Sequence, residues 1–356
     1  MRSIILVFCF FISTISRSQK LESLHISKTD ADSLTQLASS SNFSGNILLF
    51  QGDRKTTVFS KGYYDEQKKF INNEDIRYNT GSMGKTLTAI LIMQLVEKKV
   101  LELDKPANNY LTDNFKLKYN TNVSLRQLLN MTSGLGDFFD SPGYNDSLSR
   151  TADLLNLVIN MKPVNDTPGL KFSYSNSGFI VLGAILEQYY HKSYQQLLKE
   201  KILMPAGVYF ENNAINAVGY SQQDNTWVVG KDNNTKHWSA AGGIYLSINE
   251  FHLILKGLNN GIYLKKETID SMWANESHPE NDPPFVHYGL GWMVESPGGI
   301  ELRGHNGGVR GFQTCFRYLP EDDIYIYVFS NHENGAEEIF MKQLFFLFGK
   351  KGVHFN

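Results

Sequence analysis

Residues 80–99 read TGSMGKTLTAILIMQLVEKK, and the reading of this stretch decides the fold. From Lys85 onward Leu87, Ile90, Leu91, Met93, Leu95 and Val96 recur at helical spacing, so the stretch predicts a helix with a broad apolar face running to Lys99. A helix this apolar is buried rather than laid on the surface. Ser82 and Lys85 stand three apart at its mouth, where side chains at i and i+3 are neighbours. Two readings follow. Ser82 caps a helix that happens to carry a surface lysine, or Ser82 is a nucleophile and Lys85 its base.

The second reading has chemical requirements. A serine hydroxyl attacks only when a base lies within hydrogen-bond reach. An amine serves as that base at neutral pH only if burial lowers its pKa, and the positive end of the helix dipole helps. The helix start also turns the Ser82 N–H outward, where it can hold an oxyanion. Gly81 and Gly84 keep the serine uncrowded. This is the only Ser-x-x-Lys in the chain, but a sequence of this composition holds about one by chance. The pair alone does not separate the readings.

On either side of the helix the pattern changes. Upstream, Ser44 to Asp65 alternates apolar and polar residues around Gln51-Gly52-Asp53, a hairpin pattern. Downstream, Leu101 to Leu111 reads as a turn and a short helix. Ser124 caps a helix that Gly134 ends, and further helices are expected near 152–161, 178–190 and 193–203. From about Ala240 the chain reverts to strand-like runs (AAGGIYLSINE, YGLGWMVE, GIELRGHNGGVRGFQTCFRYLP, DDIYIYVFSN), closed by a helix near 335–347. Strands, a helical block, then strands and a last helix predict an α+β fold, an α/β sandwich. Its antiparallel sheet is drawn from both chain ends and flanked by helices, with a mostly helical domain inserted. The expected divisions are 1–18, a signal peptide; 19–80, N-terminal strands; 81–235, the helical domain; and 236–356, C-terminal strands and the final helix.

Bulk properties narrow the partners. The 356 residues are 42% hydrophobic with a formal net charge of −2, enough for a large core. No basic stripe appears, so nucleic acid is not an expected partner. Arg2 precedes the apolar run Ile4 to Ile12, which is too short to span a bilayer. With the small residues Ser16 and Ser18 it predicts a cleaved signal and export to the periplasm or beyond, with no stable membrane insertion afterwards; an uncleaved anchor helix is the alternative. The two cysteines are Cys9 and Cys315, so the mature chain would keep one thiol and no internal disulfide.

Two later stretches add chemistry. In PGLKFSYSNSGF, Tyr174 and Asn176 flank Ser175 just before a helix expected at Gly178. Such a turn can present a proton-relaying phenol and a carbonyl-binding amide to one cavity; equally, the tyrosine packs and the asparagine caps. In LRGHNGGVRGF, His305, Asn306, Gly307 and Gly308 lie on a strand-forming run. Glycines there suggest close approach to the backbone, as when a substrate pairs along an edge strand. The plain alternative is a bulged edge strand with a surface histidine.

Taken together, Ser82-x-x-Lys85, Tyr174-x-Asn176 and His305-x-Gly307 resemble, in order and rough spacing, the serine β-lactamase/DD-peptidase superfamily. The closer likeness is to the branch of class C β-lactamases, D-alanyl-D-alanine carboxypeptidases and related esterases. LELDKPANNYL, SLRQLLNMTSGL, PGLKFSYSNSGFIVLGAILE, AAGGIYLSINE and YGLGW also look like that branch, and the likeness covers roughly residues 43–331. The resemblance implies an exported serine hydrolase that cleaves an ester or amide through an acyl-enzyme, with peptides containing D-amino acids as the expected substrates. Ser82 would be the nucleophile, Lys85 its proton acceptor and Tyr174 a proton shuttle. Asn176 would bind the substrate amide and His305 would stand where lactamases carry a lysine. The Ser82 and Gly308 N–H groups would form the oxyanion hole. No metal or organic cofactor is implied. A class C-like β-lactamase and a non-catalytic peptide- or peptidoglycan-binding member are the alternatives. Asn306 and Gly308 replace hydroxyl residues frequent in the family that recognise a carboxylate; Arg303 or Arg310 are the candidate substitutes, although each reads first as a solvated strand-edge arginine.

Overall fold

The computed structural model describes residues 23–39, 43–148, 150–165, 167–210, 214–224, 226–230, 238–274, 277–278, 286–333 and 335–353. The expected signal segment, with Cys9, lies outside the described residues. The main sheet is built from β1 (Gly45–Gln51), β2 (Arg54–Lys61), β3 (Val286–Tyr288), β4 (Met293–Glu295), β5 (Leu302–Val309), β6 (Phe312–Leu319) and β7 (Ile324–Ser330). These strands lie in the order β2-β1-β7-β6-β5-β4-β3, and every pairing is antiparallel.

The chain ends meet at β1 and β7, in register from Gly45 opposite Ser330 to Gln51 opposite Ile324. All seven residues of β7 are buried, so this strand needs a neighbour on each edge and a layer on each face. Its alternation serves both layers. Ile324, Ile326 and Val328 join a core with α1 (Lys28–Ser39) and α9 (Glu337–Lys350). Tyr325, Tyr327 and Phe329 point the other way, into the larger core that holds the helical block. The β1–β2 turn closes at Gly52, whose φ of +59° suits glycine. The expected sandwich of an antiparallel sheet between helices is what the chain forms.

Helices depart from expectation in three places. The stretch after Ala240, expected to be strand, contains α7 (Ile248–Asn259) and α8 (Lys266–Trp273). Ser247 and Glu250 form a reciprocal capping box that starts α7. Its buried residues Phe251, Ile254, Leu255 and Leu258 pack in the larger core, which includes one face of the sheet. The helix begun by Ser124 is only α3 (Leu125–Leu129). Met131 at φ +62° ends the helical run before Gly134 is reached. Finally, α1 lies within 19–80, expected to supply strands, and is not legible in sequence as a helix because only Leu34 and Ala38 supply its buried apolar side. Two further helices of the block are α4 (Thr151–Val158) and α5 (Asn176–Tyr190). Among the described residues no helix is long and apolar enough to cross a membrane.

Candidate active site

The helix of the opening stretch is α2 (Gly84–Glu97), preceded by a tight turn over Gly81–Met83 that carries Ser82. The helix is buried around most of its circumference: every residue from Gly84 to Met93 is buried, Lys85 included. The cap reading fails, because Ser82 lies inside the tight turn and no side-chain cap supports either helical segment. The surface-lysine reading fails too, since Lys85 is 0% exposed.

Glycines fix the turn that carries Ser82 against two other segments. Gly81 has φ +51°, and a Cβ there would come 2.7 Å from the Gly308 nitrogen. A Cβ on Gly242 would lie 2.2 Å from the Gly81 carbonyl oxygen. A Cβ on Gly307 would meet the Thr80 carbonyl at 2.0 Å. The role of these glycines is therefore backbone-to-backbone contact, beyond the simple lack of crowding that the sequence suggested. The contact sets the Gly308 N–H beside the turn that carries Ser82.

The amine of Lys85 reaches three oxygens: Ser82 Oγ at 3.0 Å, Asn176 Oδ1 at 2.7 Å and the Ala241 carbonyl at 2.7 Å. Burial lowers its pKa from 10.5 to about 7, opposed by the negative charge of Asp137. Tyr174 is the second group on Ser82. Burial pushes its phenol well above the ordinary tyrosine range, while the hydrogen bond with Ser82 pulls the other way. It is a neutral phenol at neutral pH. The Lys85 amine also sits 5.1 Å from the centre of the Tyr174 ring.

The loop between Tyr174 and α5 differs from expectation. The helix begins at Asn176 rather than Gly178, and Ser175 is its cap, accepting the Gly178 N–H at 3.3 Å. Asn176 is thereby free of capping and turns its amide to Lys85.

His305 is buried, not at the surface. Its Nδ1 lies 2.5 Å from the Asn306 carbonyl oxygen and its Nε2 lies 2.8 Å from the Tyr288 hydroxyl. A carbonyl only accepts, so Nδ1 carries the proton and Nε2 accepts from the tyrosine. Burial, with the nearby Lys85 charge, lowers the imidazole pKa to about 3. Both nitrogens are committed and the ring is neutral, so His305 offers no charge to a substrate.

Strand alternation separates the neighbouring residues. His305 and Gly307 lie opposite Phe316 and Thr314, and Phe316 belongs to the core of the helical block. Asn306 lies opposite Cys315, in the core under α9. Its Oδ1 accepts from Arg317 at 2.9 Å, and that guanidinium pairs with Glu295 and lies over Phe340 of α9. The Asn306 side chain therefore serves the back of the sheet. Gly308 is exposed, and a Cβ on it would meet nothing within 4 Å. β4 pairs with β5 only over residues 302–304, so the edge of β5 from His305 onward is not covered by β4. Of the two candidate arginines, Arg303 pairs with Glu301 and lies 3.9 Å from the Trp273 ring centre, and Arg310 pairs with Asp146.

Sequence reasoning missed Asp137, Ala241 and Tyr288, which contact the site through hydrogen bonds rather than motif positions. Asp137 caps a short turn (Phe138–Asp140), a signal of local structure that says nothing about its distant partner Asn176. Among the described residues no cluster of three or more His, Cys, Asp or Glu side chains is arranged to hold a metal.

The Beta-lactamase family model matches residues 31–344. The chain belongs to the beta-lactamase family. It is similar to PbpX of Bacillus subtilis (strain 168), named for the penicillin-binding proteins, at 25% identity over 333 residues covering 92% of this chain and 77% of that protein. It is also similar to the D-aminopeptidase of Cereibacter sphaeroides (strain KD131 / KCTC 12085), at 27% identity over 229 residues, 60% of this chain and 43% of the other. The chain thus spans 43% to 77% of the length of these curated relatives. The crystal structure of D-amino acid amidase from Ochrobactrum anthropi SV3 complexed with L-phenylalanine amide shares the fold. Its TM-score is 0.76 at 21% identity, covering 90% of this chain and 99% of that one.

Proposed function

We propose that this family member is an exported serine hydrolase that cleaves amide or ester bonds of D-amino-acid substrates through an acyl-enzyme on Ser82. The observation that carries the reading is the Lys85 amine, buried, 3.0 Å from Ser82 Oγ, with a pKa brought down to about 7. A pure binding protein has no use for such a pair, because burying a lysine is costly.

The chemistry runs as follows. Neutral Lys85 takes the proton of Ser82 as Oγ attacks the substrate carbonyl. The Ser82 and Gly308 N–H groups hold the developing oxyanion. Tyr174, a neutral phenol hydrogen-bonded to Ser82, hands a proton to the leaving group and is reprotonated through Lys85. A water then attacks the acyl-enzyme by the reverse route. Asn176 orients Lys85 and binds the substrate amide. His305 and Gly307 hold β5 in place beside the nucleophile turn.

The substrate class rests on two kinds of support. Relatives include a D-aminopeptidase, and the shared fold includes a D-amino acid amidase. Within the site, the two arginines proposed from sequence to receive a carboxylate, Arg303 and Arg310, are engaged in ion pairs, and Asn306, which stands in place of a hydroxyl residue, turns to the back of the sheet. This weighs against a substrate recognised by its carboxylate, a β-lactam or a peptide C-terminus. Export rests on the apolar N-terminal run of the sequence.

The test is intact-mass measurement after incubation with a fluorophosphonate, with a penicillin alongside. Wild type is expected to gain one fluorophosphonate adduct that Ser82→Ala abolishes. No adduct from either reagent, or an adduct that survives Ser82→Ala, overturns the proposal. A rapidly hydrolysed penicillin would replace the amidase assignment with a β-lactamase one.

A further inference from the structure

We infer that Asp137 is a positioning residue for acylation: by fixing which way the Asn176 amide faces, it compels Lys85 to aim its lone pair at Ser82. The inference rests on the hydrolase reading and adds a residue that no motif identifies.

Asn176 has two ends and each has a partner. Its Nδ2 donates to Asp137 Oδ2 at 2.6 Å, and its backbone N–H points to the same oxygen at 3.3 Å. Its Oδ1 faces Lys85 at 2.7 Å. Rotating the amide by half a turn would set Oδ1 against the carboxylate and Nδ2 against the amine. A carboxylate oxygen only accepts, so that arrangement is repulsive at the Asp137 end. Asp137 is itself held by the Phe139 N–H at 3.2 Å.

The consequence appears in the hydrogen-bond inventory of the amine. Neutral Lys85 has two N–H donors and one lone pair. Asn176 Oδ1 and the Ala241 carbonyl are both acceptors and take both donors. What remains is the lone pair, and the third neighbour is Ser82 Oγ at 3.0 Å. The Ser82 proton therefore has one direction to go, and the Oγ–H bond breaks as the new N–H bond forms. With the amide reversed, Lys85 would have to accept from Asn176 and would donate to Ser82 instead, which is the wrong direction for activating a nucleophile.

Asp137 has a second effect, through its charge. The titratable groups around Lys85 are Tyr174 from the loop before α5, His305 from β5, and Asp137. Burial keeps the first two neutral, so the field on the amine comes from Asp137.

The experiment uses the full chain and the second-order rate of labelling by a fluorophosphonate, followed by intact mass from pH 5 to 9. In this reaction Ser82 Oγ bonds to phosphorus, fluoride leaves and Lys85 takes the proton. Variants are Asp137→Asn, Asn176→Ala and the double variant. Asp137→Asn keeps the turn contact to Phe139 and removes the charge. Expected are a fall of about tenfold or more in the plateau rate and an acidic limb displaced to lower pH. The double variant is expected to reach a plateau no lower than Asn176→Ala alone. An unmoved limb in Asp137→Asn, or additive losses in the double variant, overturns the inference. If wild type is not labelled at all, it is the hydrolase reading that fails.

Discussion

A lysine with a folded-state pKa far below its free value must leave a mark on stability, and Lys85 gives a sharp form of it. The distance from 10.5 to about 7, at about 1.4 kcal/mol per pH unit, corresponds to about 5 kcal/mol of disfavour for the charged form in the folded protein. The sign follows from proton counting. Between about pH 7 and 10.5 the unfolded chain carries the lysine proton and the folded chain does not, so stability rises with pH across that window. Below the window the cost is fully present, and above it the cost is gone. Lys85→Met removes the titration while filling similar volume, but strands Asn176 Oδ1 and the Ala241 carbonyl, at about 1–3 kcal/mol each. At pH 6 those two effects largely offset, and the variant should match wild type or exceed it slightly. By pH 10 wild type should have gained about 4 kcal/mol on the variant. Paired urea denaturation at pH 6, 7, 8, 9 and 10 reads the difference directly, with other titrating groups cancelling. A difference that stays flat from pH 7 to 10 refutes the reasoning, because Lys85 would then carry the same charge folded and unfolded.

Three further outcomes test other parts of the structure. Gly242→Ala should cut fluorophosphonate labelling by about a hundredfold, since its Cβ would displace the Gly81 carbonyl by roughly an ångström; labelling at the wild-type rate would contradict the close approach. Arg317→Ala should cost about 3 kcal/mol in urea denaturation by leaving Glu295 without its partner. It should leave the pH midpoint of labelling in place, because Arg317 and the Asn306 side chain face α9. Ser247→Ala should cost about 1 kcal/mol through loss of the α7 capping box, and an unchanged midpoint of unfolding would count against that cap.

Much of the candidate site was legible because the chemistry proposed for it rests on residue types at short spacing. Ser82 and Lys85 are linked by one turn of helix, Tyr174 and Asn176 by one loop, and His305 and Gly307 by one strand, so local periodicity brings each pair to one side. The antiparallel sheet from both chain ends was legible for a similar reason, because alternation in β1 and β7 shows at each end of the chain. The missed helix α7 shows the limit of such reading. Ser247-Ile-Asn-Glu is a capping box in plain sequence, but it follows directly on the strand-like GIYL, and the apolar alternation there runs into the helix without a break.

Sequence by itself determined the antiparallel sheet from both chain ends, the buried helix α2 and the candidate reactive groups. It could not determine which side of a strand faces Ser82: Asn306 and His305 are adjacent, and only the sheet's position between two helical layers sends one to α9 and the other toward Lys85. Nor could it determine the state of Lys85, since a pKa depends on what surrounds the amine and not on its place in a motif. Burial by α2's neighbours, the Ala241 carbonyl, and an Asn176 amide turned by Asp137 come from four separate parts of the chain. They act on one nitrogen because the tertiary fold buries it completely, and that burial is what lowers the pKa of the lysine.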